Sequence, residues 1–106
     1  MINDREDESL FEGLTERFFK SADFFELSPE TRKDYLKYAK KFLSVFAKMP
    51  PDSIKPEHVR KYMDKRGLKS RTQANREKAF MSRVFRWGYE RGLVKENPTK
   101  VLNNLK

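Results

Sequence analysis

One stretch, residues 69–98, carries most of the information on the fold: KSRTQANREKAFMSRVFRWGYERGLVKENP. Apolar residues recur in it every three or four positions, which is the spacing of one face of an α-helix. A helix over about 71–91 would bury that face, whose members are Ala74, Met81, Val84, Phe85 and Gly88, flanked by Phe80 and Trp87. The outward arc is polar, and we expect its Arg83 and Arg86 to be peripheral to any ligand. The stretch predicts a long amphipathic helix.

Both ends of this helix are marked in the sequence. Ser70 and Gln73 have the spacing of a capping box, in which the serine caps the helix and the glutamine reaches back to it. The triplet RGL at 91–93 predicts the other end, with a cation in the last turn, a left-handed glycine and a leucine that folds back. The same triplet at 66–68 predicts a second helix end of this kind.

Three more helix starts share one device, a residue followed by proline and then by a polar residue, at 28–30, 55–57 and 97–99. Proline at the first helical position loses no hydrogen bond and has its φ already set, and Ser28 and Asn97 can also cap. These signals predict helices at about 29–48, 56–66, 71–91 and 98–104, preceded by a short amphipathic helix from about Ser9 to Lys20. We therefore expect an all-α fold, a compact bundle of four helices plus a short N-terminal helix.

The composition confines the chain to one small domain. Its 106 residues can form a single modest core. There is no cysteine, so disulfide scaffolds and thiolate metal sites are excluded. No apolar run approaches the roughly 20 residues of a membrane span, and the acidic first residues are unlike a signal peptide. We expect a soluble, cytoplasmic protein.

Charge is distributed unevenly along the chain. Residues 1–27 hold three Lys or Arg against eight Asp or Glu, whereas residues 28–106 hold 21 against eight, within a net charge of +8. A block this basic favours a polyanionic partner, and nucleic acid is the usual one, because binding to phosphates releases counterions. The alternative is a lysine-rich surface that serves solubility alone.

The helix predicted at 29–48 has a sharply divided surface. Its buried stripe consists of Tyr35, Tyr38, Ala39, Phe42, Val45 and Phe46, widened by Leu36 and Leu43. The opposite arc holds Lys33, Lys37, Lys40, Lys41 and Ser44, and Lys48 extends it. A cationic arc of this length fits a phosphate backbone, and a merely solvated face is the alternative.

A second polar cluster surrounds the start of the helix predicted at 71–91. It gathers cations, hydroxyls and one amide around a helix N-terminus, from Lys69, Ser70, Arg71, Thr72, Asn75 and Arg76. Hydroxyls and backbone N–H groups can hold a phosphate, while Asn and Arg can reach base edges in a major groove. For Ser70, helix capping alone explains the residue equally well.

The side chains needed for catalysis are missing. His58 is the single histidine and lies in an amphipathic pattern, where a structural or surface role is expected. One histidine without cysteine cannot build a metal site, and no serine has a plausible base partner. We expect no enzyme activity from this chain alone, no metal, no cofactor, no small-molecule substrate and no membrane partner.

The order of the segments LSPETRKDYLKYAKKFLSVF, IKPEHVRKYMDKRG and KSRTQANREKAFMSRVFRWGYERGLVKENP resembles the core-binding, SAM-like N-terminal domain of tyrosine recombinases of the phage-integrase class. The resemblance covers about residues 28–104. It implies a helical domain that clamps duplex DNA during integration and recombination, next to a separate catalytic domain. On this reading residues 1–27 are an acidic, aromatic-rich helix and connector, and residues 28–106 are the core-binding domain of a longer recombinase.

In that family the first long helix and the start of the third lie against the major groove. The resemblance therefore implies DNA contacts from Lys33, Lys37, Lys40, Arg71, Thr72, Asn75 and Arg76, and helix-start chemistry adds Lys69. No catalytic residue carries over, because His58-Val59-Arg60 has the wrong spacing for the family's His-x-x-Arg motif. Other protomers bound to DNA are expected partners, and residues 1–27 are the candidate contact with them. The alternative is a helical protein-interaction module that binds no DNA.

Overall fold

The computed structural model describes residues 9–106, so residues 1–8 of the acidic N-terminal segment lie outside it. The described part is all-helical and has no strand, as the sequence predicts. It contains five α-helices and one short 3-10 helix, Pro51–Ser53. The α-helices are α1 (Phe11–Phe19), α2 (Ala22–Phe25), α3 (Pro29–Phe46), α4 (Pro56–Gly67) and α5 (Arg71–Glu90).

Helix α5 is the centre of the fold, because α1, α3 and α4 all pack against it. The core between them is mostly aromatic. Phe11 of α1 stacks on Phe85 with ring centroids 4.9 Å apart, and Phe42 of α3 lies 5.7 Å from Phe80. Because α1 contributes fully buried rings to this core, it is an integral part of the domain and its apolar face is occupied.

The predicted serine caps are confirmed. The Ser28 hydroxyl accepts a hydrogen bond from the Thr31 N–H at 3.2 Å, and the Ser70 hydroxyl accepts one from the Gln73 N–H at 3.1 Å. The return bond of the capping box is replaced, because the Ser70 N–H donates to the Arg66 carbonyl at 3.1 Å. The chain thus turns from α4 directly into α5, with Ser70 bonded to both helices.

The two helix ends predicted at the RGL triplets differ in structure. Gly92 has a φ of +71°, and the Leu93 N–H reaches back to the Gly88 carbonyl at 2.9 Å, as predicted. Gly67 is still helical, and Leu68 is 87% exposed, so the predicted left-handed glycine and folded-back leucine are wrong at 66–68. A Cβ on Gly67 would lie 2.5 Å from the Leu105 side chain. A side chain at position 67 would therefore have to displace the terminal methyl of Leu105.

The helix predicted at 98–104 does not form. Residues 98–101 make turns and residues 102–106 have no regular structure. The Asn97 side-chain oxygen still accepts from the Thr99 N–H at 3.0 Å, as a cap does, and from the Thr99 hydroxyl at 2.7 Å. The backbone beyond it makes turn bonds, from the Lys100 N–H to the Asn97 carbonyl at 3.2 Å and from the Leu102 N–H to the Thr99 carbonyl at 3.0 Å. The Asn97 amide nitrogen donates to the Ser82 hydroxyl at 3.1 Å, which ties the turn to α5.

The apolar stripe of α3 is narrower than predicted. Tyr38, Ala39, Phe42 and Phe46 are buried, while Tyr35 and Leu43 are only half-buried. Val45 and Leu36, placed in the stripe and at its edge, are 57% and 52% exposed. At about 100° per residue they lie at the two borders of the stripe, where the neighbouring helices no longer cover them.

Gly92→Ala tests the conformational reason for the end of α5. Nothing lies within 4 Å of the added Cβ, so the cost should come from the positive φ alone. We expect the free energy of unfolding to fall by about 1 kcal/mol, as measured by urea denaturation.

Gly92→Asn is the matched control, since asparagine tolerates the left-handed conformation better and should lose less. Equal losses for the two variants would contradict this explanation.

Candidate nucleic-acid interface

The lysine face of α3 is exposed as predicted. Lys33, Lys37, Lys40 and Lys41 all project into solvent, and within residues 9–106 no carboxylate lies within ion-pair distance of any of them. Lys48, at the far end of the arc, differs because it contacts Glu12 at 2.7 Å. The lysine face therefore concentrates positive charge that the described part of the domain does not neutralise.

A second cationic face, the arginine face, runs along α5 and consists of Arg76, Arg83 and Arg86. All three are exposed and lie within roughly 80° of one another around the helix, with Thr72 in the same arc. Arg86 is 3.8 Å from Glu90, a loose exposed pair that contributes little. Arg83 and Arg86, expected to be peripheral, thus share one surface with the predicted contacts Thr72 and Arg76.

An open cleft of about 870 Å³ lies between α3 and α5, and the three arginines of the arginine face line it, whereas the lysine face lies outside it. Aromatic residues form part of its lining, where Tyr35 stacks on Phe80 with centroids 4.1 Å apart and the Arg83 guanidinium lies 5.9 Å from the Tyr35 ring centroid. Asp23, Asp34 and Glu90 also line it. The cleft is therefore of mixed charge, with three arginines and three carboxylates in its lining.

A neighbouring side of α5, about 100° around the helix from the arginine face, bonds to the C-terminal segment, residues 102–106. The Asn75 side chain pairs with Leu105, donating to its carbonyl at 2.9 Å and accepting from its N–H at 2.8 Å. Arg71 donates to the Lys106 carbonyl at 2.6 Å. Two residues of the predicted DNA-contact set are thus engaged with the chain itself.

Two further cations hold the C-terminal segment. Lys78 donates to the Leu102 carbonyl at 3.1 Å, and Arg60 of α4 donates to the Asn103 carbonyl at 3.0 Å. Partial burial, followed by the nearby charge of Arg60, lowers the pKa of Lys78. The segment therefore shields cations that the sequence alone would assign to solvent.

The structure divides the predicted contact residues into three groups. Lys33, Lys37 and Lys40 form one exposed arc on α3, and Arg71 and Asn75 face the C-terminal segment. Lys69, Thr72 and Arg76 are exposed around the start of α5. Residues adjacent in sequence separate in this way because consecutive positions point about 100° apart around a helix.

A buried ion pair that the sequence reading missed anchors the start of α5. Glu77 is fully buried, and both its oxygens accept from the Arg66 guanidinium, at 2.9 and 2.7 Å. The Tyr62 hydroxyl donates to the same carboxylate at 2.6 Å. The detectable signal is that Glu77 lies within the apolar stripe, on the side shared with Ala74 and Met81.

Burial and hydrogen bonding shift the pKa values of two members of this cluster, Tyr62 and Arg66. Burial, reinforced by the hydrogen bond to Glu77, raises the pKa of Tyr62 and keeps its hydroxyl a donor. The hydrogen bond to Glu77 is also the main reason that the pKa of Arg66 is raised. The carboxylate thus receives three hydrogen bonds, all from α4, which fixes that helix against α5 just beside Arg76.

Other site types find little support in the described residues. His58 accepts the Lys55 N–H through Nδ1 at 2.9 Å, which gives it a structural role at the start of α4. No group of three or more potential metal-binding His, Cys, Asp or Glu side chains occurs in residues 9–106. None of the helices in that range is long and apolar enough to cross a membrane.

The fold and the two cationic helix faces define the class of the protein, a small all-helical module. The comparison with protein families makes this specific: residues 11–104 match the phage integrase central domain. Because the match spans most of the sequence, the chain belongs to this family, whose catalytic domain is a separate unit. No match was found among the curated proteins or the solved structures.

Glu77→Gln tests the importance of the buried ion pair. The substitution keeps the size of the side chain but leaves the Arg66 charge without its carboxylate. We expect the free energy of unfolding to fall by about 3 kcal/mol, measured by urea denaturation.

The comparison variant Tyr62→Phe removes one hydrogen bond and no charge, and should cost about 1 kcal/mol. The ion pair would not be an anchor if Glu77→Gln cost no more than Tyr62→Phe.

Proposed function

We propose that this chain is the duplex-DNA-binding, core-site-binding domain of a site-specific tyrosine recombinase, and that it clamps DNA during integration and recombination. The observation that carries the proposal is the pair of exposed cationic faces on α3 and α5, of which the arginine face lines the cleft between these helices. Membership of the phage integrase central domain family supports the same role.

The chemistry of the two faces suits different parts of DNA. Lysine ammonium groups are compact charges on flexible stems, suited to phosphates spaced along a backbone. Arginine forks can bind phosphates or the edge of guanine. The proposed contacts are Lys33, Lys37 and Lys40 on α3, and Lys69, Thr72 and Arg76 around the start of α5, with Arg83 and Arg86 beside them. Arg71 and Asn75 join this set only when the C-terminal segment leaves them.

Strand exchange in the proposed parent recombinase belongs to a separate catalytic domain with a tyrosine nucleophile. This chain would contribute affinity and orientation, and its weak sequence preference would be complemented by that second domain. Other recombinase protomers on the same DNA are proposed partners, and the proposed location is the cytoplasm, where the DNA would be accessible.

A helical protein-interaction module without DNA binding is the competing function. Its main candidate surface was the aromatic segment within residues 1–27. The structure supports it less, because Phe11 and Phe18 are fully buried in the domain's own core. Phe25 remains 60% exposed, which is a small surface for a stable protein interface.

The DNA-binding proposal predicts roughly micromolar affinity for a short duplex, with a log–log salt slope of about −3 to −6. The double change Lys37→Glu with Arg76→Glu reverses one charge on each cationic face and should abolish binding. Both residues are exposed, so the domain should stay folded. Fluorescence anisotropy at low salt measures the affinity, and circular dichroism checks the fold.

Lys61→Glu with Lys65→Glu is the matched control. It removes the same charge from the exposed side of α4, away from the cleft. Binding should largely survive in this control. Equal losses in the two double variants would show that net charge alone drives binding, and no binding either by the unmodified protein or by variants that free Arg71 and Asn75 from the C-terminal segment would refute the proposal.

A further inference from the structure

The C-terminal segment is held mainly through its backbone. Each polar contact described above joins a side chain of α4 or α5 to a main-chain group of residues 102–106. Carbonyl oxygens at Leu102, Asn103, Leu105 and Lys106 all accept from these side chains. The helices thus present a row of donors to a row of oxygens.

One side chain adds a separate apolar contact. Leu105 is half-buried and packs over Gly67, where even one added methyl group would overlap with it. The last turn of α4 therefore provides a seat that depends on the absence of a side chain. The segment is held at Leu105 from two directions, by Gly67 of α4 and by the Asn75 amide of α5.

The donors that hold the segment are of the kind that would hold DNA. Cationic and amide N–H groups bind phosphate oxygens and base acceptors by the same hydrogen bonds that they make here with carbonyls. Asn75 illustrates the conflict best, since its oxygen and its nitrogen are both paired with Leu105. It cannot keep both bonds and read a base edge in the same geometry.

We propose that residues 102–106 are an autoinhibitory strap that competes with DNA for Arg71, Asn75 and Lys78. The inference rests on the proposed DNA binding and adds a regulatory step to it. With the strap closed, DNA meets the lysine face, the arginine face, Lys69 and Thr72. Release of the strap frees the hydrogen-bonding groups of Arg71, Asn75 and Lys78 and completes the interface.

The size of the effect follows from the population of the open state. A site that is open in only a fraction of molecules binds more weakly by that fraction. Weakening the strap should therefore tighten DNA binding, by about threefold to tenfold if the closed form predominates. This gain is the opposite of what loss of a DNA contact would produce.

Two substitutions that change no charge should release the strap, one within the strap itself and one in α4. Leu105→Pro removes the N–H that donates to Asn75 together with the side chain over Gly67. Gly67→Leu leaves the strap unchanged but fills its seat on α4. Asn104→Ala is the control, because Asn104 is exposed and has no hydrogen bond of its own in the described structure. Thermal melts confirm that each variant folds.

Anisotropy with one duplex at fixed salt compares the four proteins. We expect Leu105→Pro and Gly67→Leu to bind at least threefold more tightly than the unmodified chain and Asn104→Ala to match it. In the unmodified chain, saturating DNA should also speed hydrogen exchange of the Leu105 amide. Measurable binding that neither variant tightens, or a Leu105 amide that stays protected in the complex, would overturn the strap.

Failure of the underlying function would look different. If neither the unmodified chain nor any variant bound DNA, the DNA-binding proposal would be refuted. The strap proposal would be refuted with it, because the strap would have no DNA to compete with. If the two strap variants bound and the unmodified chain did not, the strap would be supported in its strongest form. If Leu105→Pro destabilises the domain, the DNA affinity of Gly67→Leu alone tests the strap proposal.

Discussion

Glu77 is a buried carboxylate, and the arrangement of the rest of the domain depends on its need for partners. An unpaired charge in an apolar core is too costly to persist, so Arg66 and Tyr62 must both reach it. Both partners come from α4, which restricts how α4 can lie against α5. Apolar packing alone tolerates small slips of one helix along another, whereas three directed hydrogen bonds do not.

Once α4 and α5 are locked together, the environment of the start of α5 is set. Ser70 joins the two helices, and Gly67 and Asn75 form the seat for Leu105. On the other side of α5, the aromatic core draws α3 close enough to form a cleft with Arg76 on its wall. One helix therefore has two polar sides, a cationic one toward the cleft and a donor-rich one under the C-terminal segment.

The candidate site could be read from the sequence only in part. Helical periodicity separates Lys33, Lys37 and Lys40 from the apolar stripe, since a four-turn amphipathic pattern is a strong local signal. It also places Arg76 outward. Asn75 is an equally good candidate for contact with a base edge. Its hydrogen bonds to the Leu105 backbone could not be predicted, because they join positions 30 residues apart and involve main-chain atoms of Leu105.

The sequence by itself determined the all-α class, the starts of α3, α4 and α5, and the exposed lysine face. These are decided by proline, caps and periodicity, which act over a few residues. Only the tertiary structure decided that Gly67 packs against Leu105, that Asn97 holds a turn where a helix was expected, and that residues 102–106 form hydrogen bonds with Arg71 and Asn75. Each of those outcomes depends on a partner distant along the chain, and local propensity carries no information about such a partner.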